Sequence, residues 1–387
     1  MSRSVTLLVA AVVLALSVWF SAAAVLPGLA AAHGLTLASL AGLTTATQVG
    51  FVAGALTLAA TGLPDRRDPR VVFAASAVLA ALANAALLVV RPDSAAALVS
   101  RAVVGAGLAG VYPVGLKIAV GWSEARRGLI TGLLVGALTL GSALPHLVVL
   151  TGGPDWRMTI VATSLAAIVA ASLTLGIGLG PFHRRAARLR IAALALAWSD
   201  RRIRLAFAGY FGHMWELYAF WAWVAAIAAA SAAAIVAEPV RFGAVVAFAA
   251  IALGGLLCIP AGWLADRFGR AWVAGGAMAI SAAAGLAAAA GFGAAPWLVA
   301  LLLIVWGSAI VADSAQFSSL VADAAPPESA GSLMALQTAL GFALSAVTVQ
   351  ALPAVASLIG WPLALAALAI GPVLGAGAMW RLTRPAG

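Results

Sequence analysis

The sequence predicts an all-α integral membrane protein of twelve transmembrane helices, arranged as two six-helix bundles that repeat one another. Three observations carry this. Of 387 residues, 64% are hydrophobic and only 9% charged. Soluble domains carry roughly 25% charged residues, and so apolar a chain would expose more hydrocarbon to water than its charges could keep dissolved. Apolar runs of the ~20 residues needed to cross a bilayer follow one another along the whole length. The second half also echoes the first at an offset of about 200 residues. Composition alone excludes a soluble enzyme, a disordered chain, collagen and a disulfide scaffold. The single cysteine, Cys258, lies inside an apolar run.

The first run, at about 5–30, ends in small residues like a signal peptide, but it is too long for one and reads as the first span. Runs at about 38–62, 71–90, 95–119, 128–150 and 157–180 complete an N-terminal bundle within 1–180. Residues 181–203 form a basic linker holding Arg184, Arg185, Arg188, Arg190, Arg201 and Arg202. Runs at about 204–232, 240–264, 271–291, 296–321, 331–353 and 358–380 form a C-terminal bundle within 204–387.

Charge sets the sides. One set of alternating connections, with the termini, holds Arg3, Arg66, Arg67, Arg70, Arg126, Arg127, the linker arginines, Arg204, Arg267, Arg270, Arg381 and Arg384. The other holds only Arg91, Arg157 and Arg241. By the positive-inside rule both termini and the linker are cytoplasmic. The net charge of +10 is therefore a topology signal, and no nucleic-acid partner is expected.

The repeat is visible in the connections. Thr61-Gly62-Leu63-Pro64-Asp65-Arg66-Arg67 after span two is echoed by Gly262-Trp263-Leu264-Ala265-Asp266-Arg267-Phe268-Gly269-Arg270 after span eight. The pattern Gly262-x-x-x-Asp266-Arg267-x-Gly269-Arg270 resembles the loop signature of the major facilitator superfamily of secondary transporters. The first copy departs from it: Thr61 stands where glycine is usual, Asp68 replaces the second glycine, and the last arginine slips to Arg70. Arg101-x-x-x-Gly105-x-Gly107 in span four, followed by Tyr112-Pro113 and Arg127-Gly128, is similar to a second family motif. Gly132, Gly136, Gly141 and Pro145 resemble the antiporter glycine-proline motif without its Gly-Pro pair, and close helix packing explains them equally well.

This resemblance implies a monomer that works by alternating access, with spans one, four, seven and ten lining a central cavity at the repeat interface. It also implies a cytoplasmic gate at Asp65, Arg66, Asp266, Arg267 and Arg270. For Arg101 it suggests a packing or proton-relay role, and snorkelling is an equal alternative. Lys117, the only lysine, is expected at the cytoplasmic end of span four as a snorkelling or gate residue.

Ionisable groups inside a bilayer are costly and point to function. Counting about 1.5 Å per residue from Arg204, His213 lies roughly 13 Å and Glu216 about 18 Å deep. They share one stripe of span seven, where a histidine and a carboxylate at i, i+3 can share a proton. Asp313 in span ten sits at similar depth and is expected to face the same space, binding solute or a second proton. Trp215, Tyr218, Trp306 and Trp19 are candidate pocket walls at mid-depth, whereas Trp221 and Trp223 fit an interfacial belt. Gln48 and Gln337 could add hydrogen bonds to a solute.

The expected function is proton-coupled movement of a small solute across a cell (inner or plasma) membrane, with no enzymatic activity and no cofactor or resident metal. The partners are the solute, protons and lipid. A transition-metal cargo such as copper is the alternative, from His213, Met214, Glu216, Asp313 and Cys258 as donors.

Overall fold

A computed structural model describes residues 3–122, 127–152, 155–182 and 195–384. Arg126 and the linker arginines Arg184, Arg185, Arg188 and Arg190 lie outside the described residues. Within them every element is helical and no strand occurs. The N-terminal segment comprises α1 (Arg3–Leu16), α2 (Ser21–His33), α3 (Leu37–Thr61), the single turn α4 (Leu63–Arg66), α5 (Pro69–Ala85), α6 (Ala95–Ala109), α7 (Tyr112–Val120), α8 (Arg127–Gly152) and α9 (Trp156–Leu175). The C-terminal segment comprises the short α10 (Leu196–Ser199), α11 (Arg201–Ala232), α12 (Pro239–Phe268), α13 (Arg270–Ala290), α14 (Pro296–Ala312), α15 (Ser314–Ala324), α16 (Pro327–Ile359) and α17 (Trp361–Thr383).

Local chemistry sets the ends. Thr36 and Ser94 cap α3 and α6 through their hydroxyls, and Asp68, Asp155 and Asp200 accept backbone N–H groups at the starts of α5, α9 and α11. Proline occupies the first turn of α12, α14, α16 and α17, where its missing N–H costs nothing. Gly269, with φ +95°, makes the reversal between α12 and α13 that a side chain would resist.

Eleven helical stretches among the described residues are long and apolar enough to cross a membrane. The 32-residue α11 is not one of them, because His213, Glu216 and its polar ring atoms lower its hydropathy. Three of the eleven are interrupted: α1 gives way to α2 at 17–20, α6 to α7 at 110–111, and α14 to α15 at Asp313. In membranes such breaks survive only where the freed backbone is satisfied by protein or lines a cavity.

Packing is tightest between α3 and α6. A Cβ on Gly105 would lie 1.8 Å from the Thr47 carbonyl oxygen, and one on Gly50 would lie 1.9 Å from that of Ala102. That contact accounts for Gly105 in its motif, since small residues let membrane helices approach closely. Contacts between the two segments run chiefly through α3 against α16 and α8 against α12.

Candidate functional site

Two buried polar clusters and one aromatic seam stand out. The C-terminal cluster is built on α11, where His213 and Glu216 lie one turn apart and are both buried. At the α14–α15 break, fully buried Asp313 places Oδ1 2.7 Å from His213 Nδ1, while His213 Nε2 lies 3.3 Å from the Ser314 hydroxyl. A carboxylate facing Nδ1 favours the proton on that nitrogen, leaving Nε2 to accept from Ser314 when the ring is neutral. The sequence predicted His213 sharing a proton with Glu216. Instead the two side chains diverge, each reaching a partner on another helix. Glu216 Oε2 accepts from Trp306 Nε1 at 2.8 Å, and the Ser281 hydroxyl lies 2.7 and 2.8 Å from its two oxygens. Among the described residues no arginine or lysine forms an ion pair with Glu216 or Asp313.

The N-terminal cluster holds the opposite charge. Arg101 is fully buried, which rules out snorkelling. Its Nη1 donates to Asn84 Oδ1 at 2.7 Å, and its Nη2 donates to the carbonyls of Trp19 and Val18 at 3.1 and 3.3 Å. Both carbonyls lie at the α1–α2 break, where Val18 O also accepts from the Ser21 N–H and hydroxyl. The Asn84 amide donates onward to Ile160 O, Thr163 and Ser164 on α9. The Ser21 hydroxyl completes the cluster, 2.7 Å from Asn84 Oδ1.

Between the segments lies a seam of rings. Trp19 stacks on Tyr218 at 5.7 Å and contacts Phe51 and Phe342 at 4.8 and 5.7 Å; Phe342 lies 4.9 Å from Tyr218. One turn from Phe51 and Phe342, the Ser345 hydroxyl donates to Gln48 Oε1 at 3.2 Å, joining α16 to α3. The structure thus brings together Trp19, Tyr218 and Gln48. It directs Trp215 elsewhere, its indole donating to Ala367 O on α17, and it holds Trp306 beside Glu216 over Gly285 of α13. Neither indole stands in the seam. Trp221 and Trp223 are buried, not interfacial: Trp223 donates to Val349 O on α16 at 2.9 Å.

Comparison with known proteins places this geometry. The Major Facilitator Superfamily profile matches residues 7–350. The chain belongs to the major facilitator superfamily. Similar solved structures include the nucleoside transporter NupG, with TM-score 0.74 at 16% identity over 100% of both chains, and a D-xylose–proton symporter, with TM-score 0.78 at 14% identity over 98% of each. No curated protein sequence matches the chain. The protein is accordingly a multi-pass membrane transporter of the superfamily and not an enzyme.

At the superfamily's loop signatures the two copies are wired differently. Asp65 pairs with Lys117, which also donates to Pro64 O at 2.8 Å. The slipped Arg70 binds Asp68 at 2.6 Å and reaches Ile177 O at 2.9 Å, while Arg66 is exposed. In the second copy Arg270 pairs with Asp323, Asp266 is exposed, and Arg267 lies 5.6 Å from the rings of Trp263 and Phe268. Two of the three span-five glycines pack α8 closely: a Cβ on Gly141 would come within 2.5 Å of Val13 O, and one on Gly136 within 3.1 Å of Gly255 O, whereas one on Gly132 would meet open space.

Sequence reasoning missed Asn84, Ser281, Phe51, Phe342 and Ser345. A signal existed for two of them. Asn84 is the chain's only asparagine, in the middle of an apolar run, and Ser281 is the only hydroxyl in α13.

Proposed function

We propose that this transporter moves a small solute by alternating access and couples the movement to protons through Glu216, Asp313 and His213. The observation that carries the reading is a pair of fully buried carboxylates with no arginine or lysine counter-ion among the described residues. Intramembrane carboxylates of this kind are proton or substrate sites by default. The His213–Asp313 contact can hold one proton on either partner. Glu216, supported only by the neutral donors Trp306 and Ser281, changes its net charge whenever it gains or loses a proton. The break at Asp313 supports the same reading, since interrupted helices mark binding regions in secondary transporters.

In this reading α11 is the twelfth span, and residues 1–180 and 204–387 are two six-helix bundles joined by the cytoplasmic linker 181–203, with both termini cytoplasmic. The positive-inside pattern supports that orientation. The solute passes along the seam, where Trp19, Tyr218 and Gln48 meet it. Trp306 acts indirectly by holding Glu216, Trp215 braces α11 on α17, and Arg101 braces span one. The loop pairs at Asp65 and Arg270, with Asp266, Arg66 and Arg267 at the same loops, govern the cytoplasmic side. The protein works as a monomer in the cell membrane. A nucleoside or a pentose is the solute size suggested by the two similar structures. The metal alternative gains no support: the Cys258 thiol is turned to Val311 O, and no group of three His, Cys, Asp or Glu side chains converges among the described residues.

The test is proton flux in proteoliposomes carrying an internal pH dye, challenged with nucleosides and pentoses. A solute-dependent change of internal pH is expected in the wild type, acidification for symport and alkalinisation for antiport, and its loss in Glu216→Gln and Asp313→Asn. Unchanged flux in both variants across about pH 5.5–8, the range in which histidine titrates, would remove the assignment.

A further inference from the structure

The seam has a chemical bias that the proton site does not explain. Trp221 borders the seam, its ring edge-on to Tyr218 at 5.8 Å, and three buried N–H donors here have no hydrogen-bond partner among the described residues: Trp19 Nε1, Trp221 Nε1 and Gln48 Nε2. The acceptor side of Gln48 is already occupied by Ser345. Buried donors without acceptors cost free energy, and they mark a place where something else supplies the acceptors. The side chains named for the seam carry no carboxylate or cation, and the nearest charge the structure gives them is the Arg101 guanidinium on the Trp19 carbonyl. The seam's other surface is ring faces, with Trp19 and Tyr218 inclined by 21°.

We infer that the seam binds a neutral, planar solute that inserts a flat face between the rings of the two segments and turns an acceptor-bearing edge to Trp19, Trp221 and Gln48. The inference rests on the seam being the solute path, as in the function proposed above. The rings now stack on one another across the seam, so the solute enters as the segments part and replaces a ring–ring contact by a ring–solute one. Its carbonyl or ring-nitrogen acceptors take the free N–H groups, which the rings cannot do. A polyol matches this surface poorly: its hydroxyl oxygens can accept from these N–H groups, but it has no flat face to set against the rings. A planar cation matches it no better, because nothing there compensates its charge.

Isothermal titration of the purified full chain with four probes tests this: uracil and caffeine as planar acceptors, D-xylose as a polyol, and benzamidine as a planar cation. Uracil and caffeine are expected to bind more tightly than the other two. Trp19→Phe keeps a ring and removes an N–H; Gln48→Leu keeps volume and removes the amide. Each should weaken uracil and caffeine binding by about five- to thirtyfold, the range of one lost buried hydrogen bond. Absence of planar-probe binding, preference for D-xylose or benzamidine, or unchanged affinities in both variants overturns the inference. Binding is read without a proton gradient, so this result is independent of the flux test. Uracil binding with no proton flux would sink the coupling and keep the seam.

Discussion

Ser21, Asn84 and Arg101 stand about 200 residues before Glu216, Ser281 and Trp306, close to the repeat offset of the two loop signatures. Each trio joins corresponding spans of its segment: α2, α5 and α6 in one, α11, α13 and α14 in the other. The same three-helix geometry therefore encloses a guanidinium in the first copy and a carboxyl group in the second. In the first, the charge belongs to a guanidinium, which never loses its proton in a protein and is satisfied by Asn84 and by carbonyls at a helix break. In the second, the node is a carboxyl group held by the neutral donors Ser281 and Trp306, and gain or loss of one proton sets its charge. One copy holds a fixed charge, and in the proposed coupling the other acts as a switch. The difference is the residue type placed at the node, not the fold around it.

The sharpest way to break that comparison is Glu216→Gln. The amide oxygen can still accept from Trp306, so the melting temperature should stay within a few degrees of wild type while coupled flux falls by about a hundredfold or more, as for loss of one essential proton carrier. A large loss of stability instead would make the second node structural like the first. Arg101→Ala is the mirror experiment. It strands the Trp19 carbonyl and removes the charged donor from Asn84 Oδ1 and Val18 O, which keep only Ser21, and should cost about 3 kcal/mol of stability, the upper end for hydrogen bonds to a charged group. Arg101→Lys should recover part of it, because an ammonium keeps the charge without the planar fork. Thermal unfolding in detergent reads both. If Arg101→Ala melts like wild type and loses only proton flux, the bracing role of Arg101 fails.

The all-helical, multi-span membrane fold was legible because it rests on composition and on cheap, repeated signals, apolar length and turn residues; the count of twelve and the sidedness belong to the proposed reading. Glu216, His213 and Asp313 were legible as buried ionisable groups for the same reason, since each stands out against an apolar background. Their partners were not. A helical stripe says that His213 and Glu216 share a face, but it does not say which neighbouring helix approaches. The break at Asp313 and the Ser281 hydroxyl decided the pairing. Trp215 and Trp306 were misplaced by the same gap: depth along a helix is countable, whereas azimuth toward α17 or α13 depends on packing between distant segments. The seam was half visible, in Trp19 and Tyr218. Phe51 and Phe342 look like any other apolar residue until α3 meets α16.

The smallest expected effect concerns the loop pairs, where the two copies again differ in sign. The first copy puts the acid, Asp65, on the loop signature and the base, Lys117, on α7. The second puts the base, Arg270, on the signature and the acid, Asp323, on α15. Side-chain exposure is 16% and 25% in the first pair against 33% and 56% in the second, so solvent screens the second more. Double-mutant cycles with Lys117→Met and Asp65→Asn, and with Arg270→Met and Asp323→Asn, should give coupling of about 1 kcal/mol in the first pair and a few tenths in the second. Raising salt should erase the second before the first. The reverse order would mean that exposure does not set the strength of these contacts. The first copy's departures from the loop signature, Thr61 and Asp68, would then be the place to look for what weakens it.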